Sequence, residues 1–276
     1  MPHPAAFCGI VGFKPTQGRV PLKGVFPLAP SLDSVGPLAS SASCSAALDS
    51  ALSGGQSEDE PPALTADLTI AVIEGYVDER LDAAVGRAFA AAVTRLAEAG
   101  AQLKPISLPE LAELPHVYRN GSIVEFEAFA VHRANLATSR AEYDPWALGR
   151  LEAGGGKSAA DYIDLMRHRA RIRSAVEART AAFDALVLPT VPIAPPTLSE
   201  LSDVPASRAL NSLIIRNTAI ANFLDRPAIS IPCHAPGDPP AGFMLIGATG
   251  LDRRLLAVAE GVEKAVRVRH EGGAFS

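Results

Sequence analysis

Five short apolar runs, separated by stretches of helical spacing, constrain this chain more than any other feature. They are LTIAVIE from Leu68, AQLKPISL from Ala101, DALVLPT from Asp184, PAISIPC from Pro227 and GFMLIG from Gly242. The first reads as a buried strand by its β-branched content, and the others as further short strands of a largely buried sheet. Between the first two, Leu81, Val85, Phe89, Val93 and Leu96 recur at helical spacing and Gly100 stops the helix, which makes one βαβ unit. Further helices are expected from Leu111 to Ala137, from Ala159 to Phe183, from Leu210 to Asn222, and in a C-terminal segment carrying Leu255, Leu256, Ala259, Val262 and Val266. The alternation assigns the chain to the α/β class, with a mixed, largely buried β-sheet flanked by helices.

The first sixty residues are different. Gly9, Gly12, Pro15, Gly18, Pro21, Gly24, Pro27, Pro30, Gly36 and Pro37 punctuate them, and such spacing favours short strands and ordered turns over long helices. A short helix is expected from Ser41 to Leu52, followed by the acidic linker GGQSEDEPP on the surface. No internal repeat is present.

Composition narrows the function classes. At 276 residues, 48% apolar and 20% charged, the chain is long enough for one large or two ordinary domains and too apolar for wholesale disorder. Its 25 Lys and Arg against 30 Asp and Glu leave a net charge of −5, the wrong sign for tracking phosphates, so nucleic acid is not expected as a partner. No apolar run reaches the length of a membrane span, and the start MPHPAAFCG has no basic leader, so no membrane association and a cytoplasmic location are expected. The odd, scattered Cys8, Cys44 and Cys233 read as small buried thiols rather than a disulfide framework. The histidines show no HxxxH or HExxH spacing and no Cys-x-x-Cys occurs, so neither a metal site nor any other cofactor is expected.

The residues alone present no complete catalytic constellation. A serine hydrolase needs a nucleophile, a base and oxyanion donors, and no G-x-S-x-G elbow exists. Gly154 to Gly156 with Lys157 lacks the preceding strand and the spacing of a phosphate loop and reads as a turn before a helix. The arginines between Arg167 and Arg179 read as a solvated helix face. Of the lysines, Lys14, Lys23, Lys104, Lys157 and Lys264, each reads as a surface or structural residue. His3 with Cys8 is the one imaginable Cys-His pair, at a terminus poorly suited to hold its geometry.

Four blocks, taken together and in order, resemble one family. PAAFCGIVGFKPTQGRVPLKGVFPLAPSLDSVGPLA from Pro4 to Ala39 is similar to the segment that follows the nucleophile in amidase signature enzymes. YDPWALGRLEAGGGKSAADYIDLMRHRARIR, FDALVLPTVPIAPP, and RNTAIANFLDRPAISIPC with GFMLIG resemble the later landmarks of that family. The resemblance implies hydrolysis of a small-molecule carboxamide by a serine, with a second serine in a cis peptide bond and a lysine whose burial lets it work as a neutral base. In the family the nucleophile stands four residues before the proline matched by Pro4. That position is one upstream of Met1, and the cis serine and lysine lie further upstream.

The resemblance therefore implies residues 1–276 as the C-terminal part of a single amidase signature domain, with no catalytic residue among them and no activity expected from the chain alone. Met1, Pro2 and His3 also replace the family's Ile-Arg-Ile. Arg150, Thr190, Arg216 and Met244 are the candidates for the substrate pocket, with a structural role as the competing reading for each. Ile215 stands where glutaminase-type subunits carry an aspartate, which favours a general amidase over a tRNA-dependent glutaminase. The alternative expectation is a non-catalytic module that binds a ligand or completes a separately encoded N-terminal half. An incomplete sheet would leave apolar core uncovered, so a homo-oligomer or a poorly soluble chain is also expected.

Overall fold

The computed structural model describes residues 2–55, 60–201 and 204–268. In chain order the elements are α1 (Pro2–Cys8), β1 (Val11–Lys14), β2 (Leu38–Ala39), α2 (Ala42–Leu52), β3 (Thr69–Glu74), α3 (Ala83–Glu98), β4 (Gln102–Ser107), α4 (Pro109–Ala112), α5 (Leu114–Val117), α6 (Ile123–Ser139), α7 (Pro145–Glu152), α8 (Ala159–Thr180), β5 (Ala185–Pro189), α9 (Val204–Phe223), β6 (Ala228–Pro232), β7 (Gly242–Ile246) and α10 (Asp252–Val266). The strands form one seven-stranded sheet in the order β2-β1-β6-β7-β5-β3-β4. β3 runs parallel to β4 and β5, while the pairs from β5 through β7, β6 and β1 to β2 are antiparallel. The sheet is thus mixed and carries helices on both faces.

The apolar runs become strands because both of their faces are covered. Val187, Ile229, Phe243 and Leu245 point to α3 and α10, where Phe89 stacks on Phe243 with ring centroids 5.3 Å apart. Leu186, Leu188, Met244 and Ile246 point the other way, to Ile172 and Val176 of α8 and Ile220 and Phe223 of α9. β1, β5, β6 and β7 are buried along their whole length. β3 is buried in part, and the border strands β2 and β4 are the open ones, β4 leaving Lys104 and Pro105 exposed.

Helix boundaries follow local chemistry. Ser41 caps α2 by accepting from the Cys44 N–H, Asp82 caps α3 through Ala84, and Gly100 at φ +96° ends the α3 segment. The helical region expected from Leu111 to Ala137 is instead two single turns, α4 and α5, and then α6. Pro115 and Gly121, at φ +128°, interrupt it, and the Ser122–Glu125 capping box starts α6 afresh. Two helices escaped the sequence reading. α1 forms although Pro2 and Pro4 lie in it, because a helix's first turn has no intrahelical use for their missing N–H groups. α7 is likewise set by Asp144, which accepts from the Trp146 and Ala147 N–H groups.

Of the linker, Gln56–Asp59 lie outside the described residues; Gly54, Gly55 and Glu60–Pro62 are exposed as expected. The cysteines depart from expectation. Only Cys233 is buried, its thiol pushed up to about 12 by burial, while Cys8 and Cys44 are exposed at the end of α1 and the first turn of α2. Val25, Phe26 and Leu28 are exposed on the long loop after β1. No helix among the described residues is long and apolar enough to cross a membrane.

One polar knot joins the start of the fold to its end. Asp252, the first residue of α10, accepts from the Thr16 N–H and hydroxyl, each at 2.7 Å, and the Gly250 N–H donates to that hydroxyl at 3.0 Å. Arg19 binds Asp49 of α2 through Nε and Nη2, the shorter contact being 2.6 Å. Replacing Asp252 by Ala would leave buried donors without acceptors, so Asp252→Ala is expected to lose about 1–3 kcal/mol of stability in urea unfolding.

Candidate active site

α1 lies on the sheet over β1, β6 and β7 and touches α9. Its close approach depends on Gly242: a Cβ there would stand 2.4 Å from Ser230 Oγ, 2.5 Å from Thr190 Oγ1 and 2.8 Å from Ala6 Cβ. Beneath this point the Thr190 and Ser230 hydroxyls are hydrogen-bonded at 2.7 Å, both residues fully buried, and the Thr190 N–H donates to Gly242 O. A buried hydroxyl pair with both members satisfied costs little and fixes rotamers on two strands at once.

Next to this seat, α9 contributes Arg216 and Asn217. Asn217, with no exposure, donates through Nδ2 to Pro189 O at 2.8 Å and to Val77 O at 3.3 Å. Arg216 donates from Nη1 to Glu79 O at 2.6 Å, from Nη2 to Val77 O at 2.8 Å and from Nε to Asn217 Oδ1 at 3.1 Å, with its guanidinium 5.5 Å above the Tyr76 ring.

The four sequence candidates separate on this geometry. Thr190 and Met244 share one face of adjacent strands, yet neither has accessible surface: Thr190 serves the seat and Met244 packs in the core with Leu188 and Ile246. Arg216 is half-buried, with three of its donors spent on the chain itself. Arg150 is exposed on α7, its guanidinium 4.7 Å over Trp146, and no hydrogen bond or ion pair joins it to the other three. Ser230, Gly242 and Asn217 were not singled out from the sequence. A serine inside the apolar run PAISIPC and an asparagine on the inner stripe of α9 were the available signals.

The other sequence features resolve plainly. His3 and Cys8 stand five residues apart on one short helix, about 7.5 Å along its axis, beyond hydrogen-bond reach; burial pulls the His3 imidazole down to about 4. Gly154 exists for contact, since a Cβ there would sit 2.2 Å from Glu125 O, and Lys157 pairs with Glu125 at 3.2 Å. The arginines of α8 answer neighbouring groups: Arg171 pairs with Glu113, Arg179 with Glu110, Arg173 with Asp225, and Arg169 donates to Phe223 O at the end of α9. Among the described residues no group of three His, Cys, Asp or Glu is placed to hold a metal.

Of the two roles expected for the lysines, surface or structural, Lys14 is on the buried side. It is 5% exposed on β1, and its ammonium donates to Pro15 O at 2.8 Å. Burial pulls it from 10.5 down to about 8, against the attraction of Asp225 and Asp252. The folded chain therefore releases this proton before the unfolded chain does. Between about pH 8 and 10.5 the unfolded state binds more protons, and stability rises with pH. Wild type is expected to gain stability over Lys14→Met across that window, by at most about 1.4 kcal/mol per pH unit, in urea titrations at stepped pH. Gly242→Ala, by crowding the hydroxyl pair and α1, is expected to cost about 1–3 kcal/mol in the same assay.

Comparison with known proteins places this arrangement. A family model described as Amidase matches residues 3–256. The 2-amino-5-chloromuconic acid deaminase of Comamonas testosteroni is 30% identical over 275 residues, covering 97% of this chain and 58% of the relative. A glutamyl-tRNA(Gln) amidotransferase subunit from a Picosynechococcus strain is 30% identical over 302 residues, covering 95% and 62%. An amidase crystal structure superposes with a TM-score of 0.82 at 28% identity, covering 97% of this chain and 61% of that one. The chain thus spans about three fifths of the length of the proteins it matches.

Proposed function

The chain belongs to the amidase family, and we propose that its residues build the sheet and pocket wall of a carboxamide hydrolase whose catalytic serines and lysine come from outside these 276 residues. The observation that carries this reading is the seat of α1. In the resembling family the nucleophile stands two residues before the position at which this helix begins. Ala6 on Gly242, with the Thr190–Ser230 pair below, anchors this helix on the sheet, and an anchored helix supports the reading because an attacking hydroxyl needs a preorganised setting.

Residues 1–276 are read as part of one domain, acting in the cytoplasm on a small-molecule amide. Ile215, half-buried on α9, supports a general amidase over a tRNA-dependent glutaminase. Lys14 does not fit the base, because its ammonium faces Pro15 O within the segment held by Asp252. A second reading has the missing residues supplied by a partner chain or the module binding a ligand without chemistry; kinship with one component of an amidotransferase favours it.

Ammonia release from small carboxamides, glutamine included, tests the first reading. The 276-residue chain alone is expected to give none above buffer. Joined to the upstream segment of the Comamonas relative, it is expected to release ammonia until the family's nucleophilic serine in that segment is changed to alanine. Release by the chain alone, abolished by Lys14→Met or His3→Ala, would overturn the reading.

A further inference from the structure

β3 and β5 are parallel neighbours, and the connections that leave their carboxyl ends take opposite faces: α3 follows β3 on one side of the sheet, and α9 follows β5 on the other. Open α/β sheets take ligands outside the carboxyl ends of strands at such a reversal. Here that place is bounded by the loop from Gly75 to Asp82 and by the segment that starts at Thr190. The two are tied once by the backbone, where the Asp82 N–H donates to Pro192 O at 2.7 Å.

The loop has little of its own to hold it. Gly75 and Arg80 are both left-handed, at φ +94° and +56°. Asp78 closes a local turn by accepting from the Gly75 N–H at 3.1 Å, and Val77 is its one fully buried side chain. The Asp78 N–H donates to Gly75 O and the Leu81 N–H to Asp78 O, Tyr76 and Leu81 pack against the core, and α9 adds a set of side-chain bonds. Arg216 reaches the carbonyls of residues 77 and 79, and Asn217 reaches those of 77 and 189 while accepting from Arg216. Two adjacent side chains therefore bind the end of β5 and the loop after β3 to one point of one helix. The guanidinium is spent on neutral carbonyls and an amide, with no carboxylate in its bonding set.

We propose that Arg216 and Asn217 are a latch that makes α9, the Gly75–Asp82 loop and the end of β5 move as one wall, with Arg216 acting as a positioning residue. Arg216 then shapes the pocket without touching an acyl group. The latch stands whether or not the chain takes part in amide hydrolysis; only its consequence for a substrate rests on that reading.

Amide hydrogen exchange on the folded chain tests it. In Arg216→Met the amides of residues 75–82 are expected to exchange about tenfold faster or more, the loss of one or two net hydrogen bonds, with β6 and β7 unchanged. Arg216→Lys keeps a cation for the carbonyls and is expected to lie between, and tryptic cleavage after Arg80 should follow the same order. Equal exchange in all three proteins overturns the proposal, as does a rise spread evenly over the sheet. Should Arg216→Met fail to fold, Asn217→Ala decides by the same measurement: faster exchange at 75–82 with β6 and β7 unchanged supports the latch, and unchanged or evenly raised exchange overturns it. No readout uses catalysis, so failure of the latch is distinct from failure of the amidase reading.

Discussion

A carboxylate with almost no exposure, Asp252, holds the two ends of the described fold together. The segment it binds follows β1, which would otherwise reach the sheet only through β6 and a two-residue partner, β2. A buried acid is tolerable when its oxygens accept from well-placed donors, and low surrounding dielectric strengthens those bonds. With β1 fixed, Phe13 and Val11 close the core on one face and α1 is brought over β6 and β7 on the other. The α1 seat, and the site that depends on it, are downstream of that polar contact.

The sheet itself was legible from composition along the chain. Strands covered on both faces must be apolar throughout, and the runs in β3, β5, β6 and β7 announce this without any alignment. α3 and α10 were equally plain, since one apolar stripe of each faces the core. The elements that escaped, α1 and α7, are short and set by caps and prolines rather than by a stripe. The broken stretch from α4 to α6 misled because its apolar spacing continues across Pro115 and Gly121 while its backbone does not.

The candidate site was legible to a different depth. Motif order pointed to the family and to the neighbourhood of Thr190 and Arg216. It could not reveal what those side chains do, because their partners are distant in sequence: Ser230 for Thr190, and the carbonyls of residues 77 and 79 for Arg216. Lys14 shows the same limit. A lone lysine in a turn-rich segment reads as surface or structural, and neither its burial nor the nearby charges of Asp225 and Asp252, from the far end of the chain, are visible before the fold is known.

The border strand β4 has a consequence for how molecules of this protein meet. Pro105 offers no N–H and Lys104 presents an ammonium, so the outer side of β4 is a poor template for another strand. The opposite border, β2, is two residues long, and the Ser40 carbonyl beside it is already taken by Arg267. Among the described residues, neither margin of the sheet offers a long free row of backbone groups for pairing with another strand.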